Sequence, residues 1–218
     1  MAQVELEIQA LKDNLLDMIE LVVNQVSKCK KAIEKKDEKL AKEVMADEQK
    51  VNAQELAIDK DCENIIALYN PVASDLRFVL AAIKISNDLE RIADNAHSLA
   101  KFLKRHLKTI DERLLETFGI TDMLDTCTSM LKDMHKALRN DDTRLARKVF
   151  EKDEALNAIN KRSIKSAQAM LKEYPDDLKV ILRLFTIVRN LERIGDLTKN
   201  IGEEIVFAIE AQVLKHQK

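Results

Sequence analysis

Asn87-Asp88-Leu89-Glu90-Arg91-Ile92-Ala93-Asp94 returns about a hundred residues later as Arg189-Asn190-Leu191-Glu192-Arg193-Ile194-Gly195-Asp196. Each copy reads Leu-Glu-Arg-Ile, a small residue, then Asp. On a helix the carboxylates at i and i+4 lie one turn apart on one face, while Leu and Ile fall on another. The motif therefore predicts two long helices, each with an apolar side and an acidic side.

The apolar spacing around both copies supports this. Phe78, Ala82, Ile85, Leu89, Ile92, Ala96 and Leu103 share one side of a helix capped by Ser74 or Asp75 and reaching about Lys104. Val180, Leu184, Ile187, Leu191, Ile194, Ile201 and Ile205 do the same on a helix from Asp177 to the terminus. The second face starts apolar (Leu76, Leu80, Ile83; Leu178, Leu182, Phe185) and turns acidic; its apolar part is expected to join the two halves of the molecule.

The chain has 218 residues with only 3 Gly and 2 Pro, 34% charged and 4% aromatic residues, which favours few turns and long amphipathic helices. A first helix spans about Val4 to Ile33, and a second, capped by Asp37, ends at Asn70-Pro71, because proline disfavours helix at the preceding residue. A fourth runs from near Lys108 to Leu138, with Gly119 as an interruption, and a fifth follows Asn140-Asp141-Asp142 to Glu173. Upstream of the acidic motif, Ala41 to Val44 matches Ala146 to Val149, Glu48 matches Asp153, and Val51-Asn52 matches Leu156-Asn157. Short links make consecutive helices antiparallel neighbours. The expected fold is all-α: two tandem three-helix bundles, 1–108 and 109–218, related by an internal repeat.

A net charge of −2 with interspersed signs gives no basic stripe for nucleic acid. Cys29, Cys62 and Cys127 are far apart and read as free thiols of a reducing compartment. No signal peptide or membrane-spanning run is expected.

Folding each hairpin back brings Glu90 and Asp94 level with Glu48, Asn52 and Glu55, and Glu192 and Asp196 level with Asp153, Glu154 and Asn157. Oxygen-only sets of this kind suit Mg, Ca, Mn or iron better than structural zinc. The same residues could equally be solvated helix faces with weak surface ion pairs. A di-iron oxidase would need Glu-x-x-His on two helices. Only Asp94-x-x-His97 comes near, and its repeat position is Lys199. No phosphate loop, nucleophile elbow or Cys/His pairing is present, so no organic cofactor and no catalysis are expected.

Asn70-Pro71-Val72-Ala73-Ser74-Asp75-Leu76-Arg77, followed by Lys84 to Asp94, resembles the signature of PhoU proteins, the accessory proteins of the phosphate-specific transport system. The resemblance covers almost the whole chain. It implies a cytoplasmic, frequently dimeric negative regulator of phosphate-starvation signalling, standing between a phosphate ABC transporter, through its ATPase subunit, and a sensor histidine kinase. It also implies metal binding through Glu90 with Asp94 and Glu192 with Asp196, extended by Asn200. Ser98 replaces the usual Asn in the first copy. Glu48, Asn52, Asp153 and Asn157 complete the expected metal residues, with Fe, Mn, Mg, Zn and Ca not distinguished. A metal-storage bundle and a regulator of a different phosphate transporter are the competing readings.

Overall fold

The computed structural model describes residues 2–214. Among them every long element is an α-helix, in the order α1 (Ala2–Lys35), α2 (Glu38–Tyr69), α3 (Ser74–His106), α4 (Glu112–Thr117), α5 (Ile120–Asn140), α6 (Thr143–Arg147), α7 (Val149–Glu173) and α8 (Leu178–Glu210). Helices α1, α2 and α3 pack on one another as the first bundle; α5, α7 and α8 form the second, so the expected all-α double bundle is observed.

The capping chemistry follows the sequence closely. Asp37 accepts from the Lys39 amide at 2.8 Å, and Asp142 accepts from the Leu145 amide at 3.0 Å, each satisfying an amide that the first helical turn leaves free. Gly119 takes φ 65 between α4 and α5, a left-handed conformation that glycine adopts without a Cβ penalty. The α2–α3 turn uses left-handed Asn70 (φ 48) and Ala73, also at positive φ (45), whereas the α7–α8 turn is 3₁₀, Pro175–Asp177.

Three boundaries differ from expectation. Helix α3 has Ala73 at its N-cap with no side-chain cap, and Ser74 and Asp75 already lie inside it. The expected fifth helix is divided at Lys148 into α6 and α7. That break lies where α8 comes close: a Cβ on Gly202 would sit 3.1 Å from the Ala146 carbonyl oxygen. The sixth helix ends at Glu210, where Ala211 turns left-handed (φ 58) and its N–H reaches the Phe207 carbonyl; residues 215–218 lie outside the described residues.

The two bundles share one core. Helix α3 lies antiparallel against α8, as shown by Lys84 meeting Glu204 at one end while Asn190 and Arg183 donate to Ser98 at the other. Helix α1 packs against α5. The apolar stripes named from the sequence are almost all buried, Leu89, Ile92, Ile194 and Ile201 completely. The second apolar face does not join the bundles as expected. Ile83 and Phe185 are half-buried, but Leu80, Leu178 and Leu182 remain exposed, at 42%, 48% and 50%. The antiparallel α3–α8 packing has its own contacts, and these three residues lie toward the helix starts, off that seam. Cys29, Cys62 and Cys127 are free, as expected, and they are buried. Burial pushes the first two thiols up to about 12, which leaves them in the unreactive protonated form.

Candidate functional site

The acidic sets form where α2 meets α3 and where α7 meets α8. In each motif the Leu and Ile are buried in the core and the carboxylates stand beside the neighbouring helix. Glu90 is half-buried and Asp94 exposed. Across the hairpin, Glu55 accepts from Asn87 at 3.5 Å, and Glu48 pairs with His97. Partial burial raises the Glu90 proton affinity above the ordinary carboxylate range, and Asp94, Glu55 and Glu48 raise it further. Glu55 is shifted the same way, by burial first and then by Asp59 and Asp94. The charges of Glu48, Glu55 and Asp94 thus converge on Glu90. Asn52, the remaining expected member, is exposed on α2.

This repulsion makes a testable claim. A raised carboxyl pKa contributes stability that is full below the unfolded value, 4.5, and is lost as pH rises through the folded one. Glu90→Gln removes the like charge, so at pH 7 it should raise stability by about 0.5 kcal/mol. That gain should shrink as pH approaches 4. Thermal melts at both pH values check it; a destabilised variant at pH 7 would show that Glu90 is held by a favourable partner.

The second set is arranged differently. Asp153 is 4% exposed, and the Lys199 ammonium donates to it at 2.9 Å and to Asp196 at 2.8 Å. Asn157 also donates to Asp153, at 3.1 Å. Glu192 stands alongside, its proton affinity raised by burial first and then by Asp196, with an Asn160 hydrogen bond opposing the shift. Glu154, the other acid at this level, is exposed. Gly195 makes room for this: a Cβ there would lie 2.4 Å from Leu156 Cδ1 and 3.0 Å from Asp153 Oδ1. Where Ala93 serves the first repeat, a Cβ in the second would require Leu156 to shift.

Asn200 does not face this set. It reaches α3, donating to Asp88, and lines a polar crevice with Lys84, Arg91 and Glu204. Sequence reasoning missed this inter-repeat group. Lys84 bridges both Glu204 oxygens at 3.1 Å, and Arg91 meets Asp88 at 3.1 Å. The hint was there: Asp88 and Glu204 fall where the helix periodicity expects burial, with Lys84 four residues before Asp88.

An oxygen-liganded cation requires carboxylates that no protein cation already neutralises. The first set has acids in excess, with His97 on Glu48, and matches one in charge alone. The second already has a cation at its centre, the Lys199 ammonium, and does not fit unless that side chain leaves. Among the described residues, no three His, Cys, Asp or Glu side chains are grouped as a preformed metal centre.

A tandem three-helix repeat with an acidic turn on the third helix of each copy defines a class of duplicated, all-α bundles. Both repeats match the PhoU domain, over residues 15–103 and 120–205, and the chain belongs to the PhoU family. It is 30% identical over 212 residues to the phosphate-specific transport system accessory protein PhoU homolog of Aquifex aeolicus, covering 97% of this chain and 95% of that one. The homolog of Borreliella burgdorferi is 32% identical, with 92% of each chain covered. Among solved structures, PhoU from Pseudomonas aeruginosa superposes with a TM-score of 0.89 at 27% identity, covering 95% of this chain and 99% of that one. The phosphate transport system regulatory protein PhoU from Streptococcus pneumoniae gives 0.84 at 26% identity, covering 97% and 99%. The family is one of phosphate-transport accessory proteins, not of enzymes. Among the described residues no helix is long and apolar enough to cross a membrane.

Proposed function

We propose that this chain is a cytoplasmic negative regulator of phosphate uptake and phosphate-starvation signalling. It acts as an adaptor between the ATPase subunit of a phosphate ABC transporter and a sensor histidine kinase, and it works as a homodimer. The observation that carries this reading is the match of both repeats, in order and over nearly the whole length, to the domain of a phosphate-transport accessory family. The shared core supports it, because one continuous body of packed helices can present two long surfaces at a fixed spacing. Deleting the gene should derepress a phosphate-starvation reporter in phosphate-replete cells. An unchanged reporter would leave the regulator of a different phosphate transporter as the better reading.

Metal binding is a second property of this reading, and the acid excess between α2 and α3 favours it there. Glu90 and Asp94, with Glu48 and Glu55 across the hairpin, would hold a hard divalent or iron-type cation, which would neutralise the mutual repulsion. Elemental analysis of gently purified protein should show metal that Glu90→Ala/Asp94→Ala removes. Glu192→Ala/Asp196→Ala, acting on the lysine-filled set, should remove little. Metal content indifferent to the first pair of substitutions would mean that the acids face a protein partner.

A further inference from the structure

The repeats align without a gap through their first two helices at an offset of 105 residues. Leu15, Met18, Val26 and Ala32 of α1 take the places of Ile120, Met123, Leu131 and Ala137 in α5, all buried. The capping aspartates Asp37 and Asp142 also coincide. Two apolar surfaces so alike do little to tell α2 from α7 as the partner of α1. Exchanging the outer helices, within one chain or between two, would bury a similar core, which is the hazard of tandem and swapped assemblies.

One pair of positions is not alike. Lys28 on α1 meets Asp47 on α2 at 2.8 Å. At the same offset stand Asp133 on α5 and Lys152 on α7, meeting at 2.5 Å. The bridge is the same and its polarity is reversed. The neighbouring position inverts as well: Glu43, 3.2 Å from Lys28, corresponds to Lys148. These pairs are not rim decoration, since the Asp47 side chain is 9% and the Asp133 side chain 18% exposed. Asp47 is held on its other side by Lys50 at 2.7 Å, and Lys152 donates to Ser129 at 2.7 Å.

We propose that these inverted ion pairs are a pairing code that prevents the two repeats from exchanging their middle helices. In the native arrangement every contact joins opposite charges. In the exchanged one Lys28 would face Lys148 and Lys152, while Asp133 would face Glu43 and Asp47. Half-buried like charges disfavour that assembly, where apolar packing alone would accept it.

The test gives repeat two the polarity of repeat one, with Asp133→Lys, Lys148→Glu and Lys152→Asp in the full chain. Every native contact is again between opposite charges, but the code is gone. A second variant, six-fold at the code positions, inverts both repeats by adding Lys28→Asp, Glu43→Lys and Asp47→Lys, and carries Lys50→Glu so that position 47 keeps an oppositely charged neighbour; this restores the code with reversed sign. Both are refolded from denaturant beside the wild type, and the species are resolved by size-exclusion chromatography and native mass spectrometry. The triple variant should yield several-fold more exchanged oligomer or misfolded product than the wild type, and the six-fold variant should return to the wild-type distribution. A triple variant that refolds like the wild type overturns the proposal. So does a six-fold variant that misassembles as much as the triple, or one that fails to fold alongside it. If the triple variant fails to fold and the six-fold variant folds, the code is supported.

Discussion

Replacing Lys199 by Met lowers stability by about 2–3 kcal/mol, the largest effect expected from any charged residue of the acidic motifs. The reason is the company Lys199 keeps. Its ammonium is the cation for Asp153, a carboxylate 4% exposed, and for Asp196 as well. Removing one partner of a buried pair leaves the other charge uncompensated, which costs about 3–5 kcal/mol when burial is complete. Lys199 is itself 26% exposed, so solvent reaches the site and the lower figure applies. Desolvation by itself lowers the Lys199 pKa, but its bonds to Asp196 and Asp153 outweigh that and raise it above 10.5. Its contribution is therefore fully present below pH 10.5 and is lost as pH rises through the folded value. The deficit of Lys199→Met should be constant from pH 6 up to 10.5 and narrow only above that. Adding Asp153→Asn should recover much of the loss. Denaturant titration of the single and double variants decides it: equal stabilities for Lys199→Met and the wild type would show the lysine to be a surface group.

Leu191→Ala lowers stability by about 3 kcal/mol, whereas Glu192→Gln, one residue on, leaves it unchanged or slightly higher. Leu191 is 1% exposed in the second bundle's core, and the Cys127 thiol donates to its carbonyl. Truncating a buried leucine loses transfer energy and leaves a cavity, together about 2–5 kcal/mol. Glu192 loses only a charge that burial and Asp196 already disfavour. Chemical denaturation of the two variants separates the face that holds the fold from the face that carries polar chemistry. Similar losses from both would mean that Glu192 has a structural bond not accounted for by Asn160.

The helices were legible because their signals are local. Leu89 and Ile92, Leu191 and Ile194 recur at helical spacing, and Asp37, Asp142 and Gly119 mark ends through chemistry confined to a few residues. The hairpin geometry was legible too, since equal rise along two antiparallel arms brings Glu48 and Glu55 to Glu90, and Asp153 to Glu192. The fate of Leu178 and Leu182 was not legible. Periodicity says that a residue shares a face, but which faces meet depends on how α3 crosses α8. The break at Lys148 was hidden too, at a place where α8, more than fifty residues away, comes close through Gly202.

By itself, the sequence determined that this protein is a duplicated three-helix bundle of the PhoU kind, with an acidic turn on the last helix of each copy. Spacing, capping and repetition are properties of neighbours along the chain. Only the tertiary structure decided that the two acidic turns are unequal. In one, the carboxylates are left facing one another; in the other, Lys199 comes between them, and Gly195 lets Asp153 close in. His97 and Lys199 occupy the same place in the repeat, and what each does depends on the carboxylates that the opposite helix brings within reach.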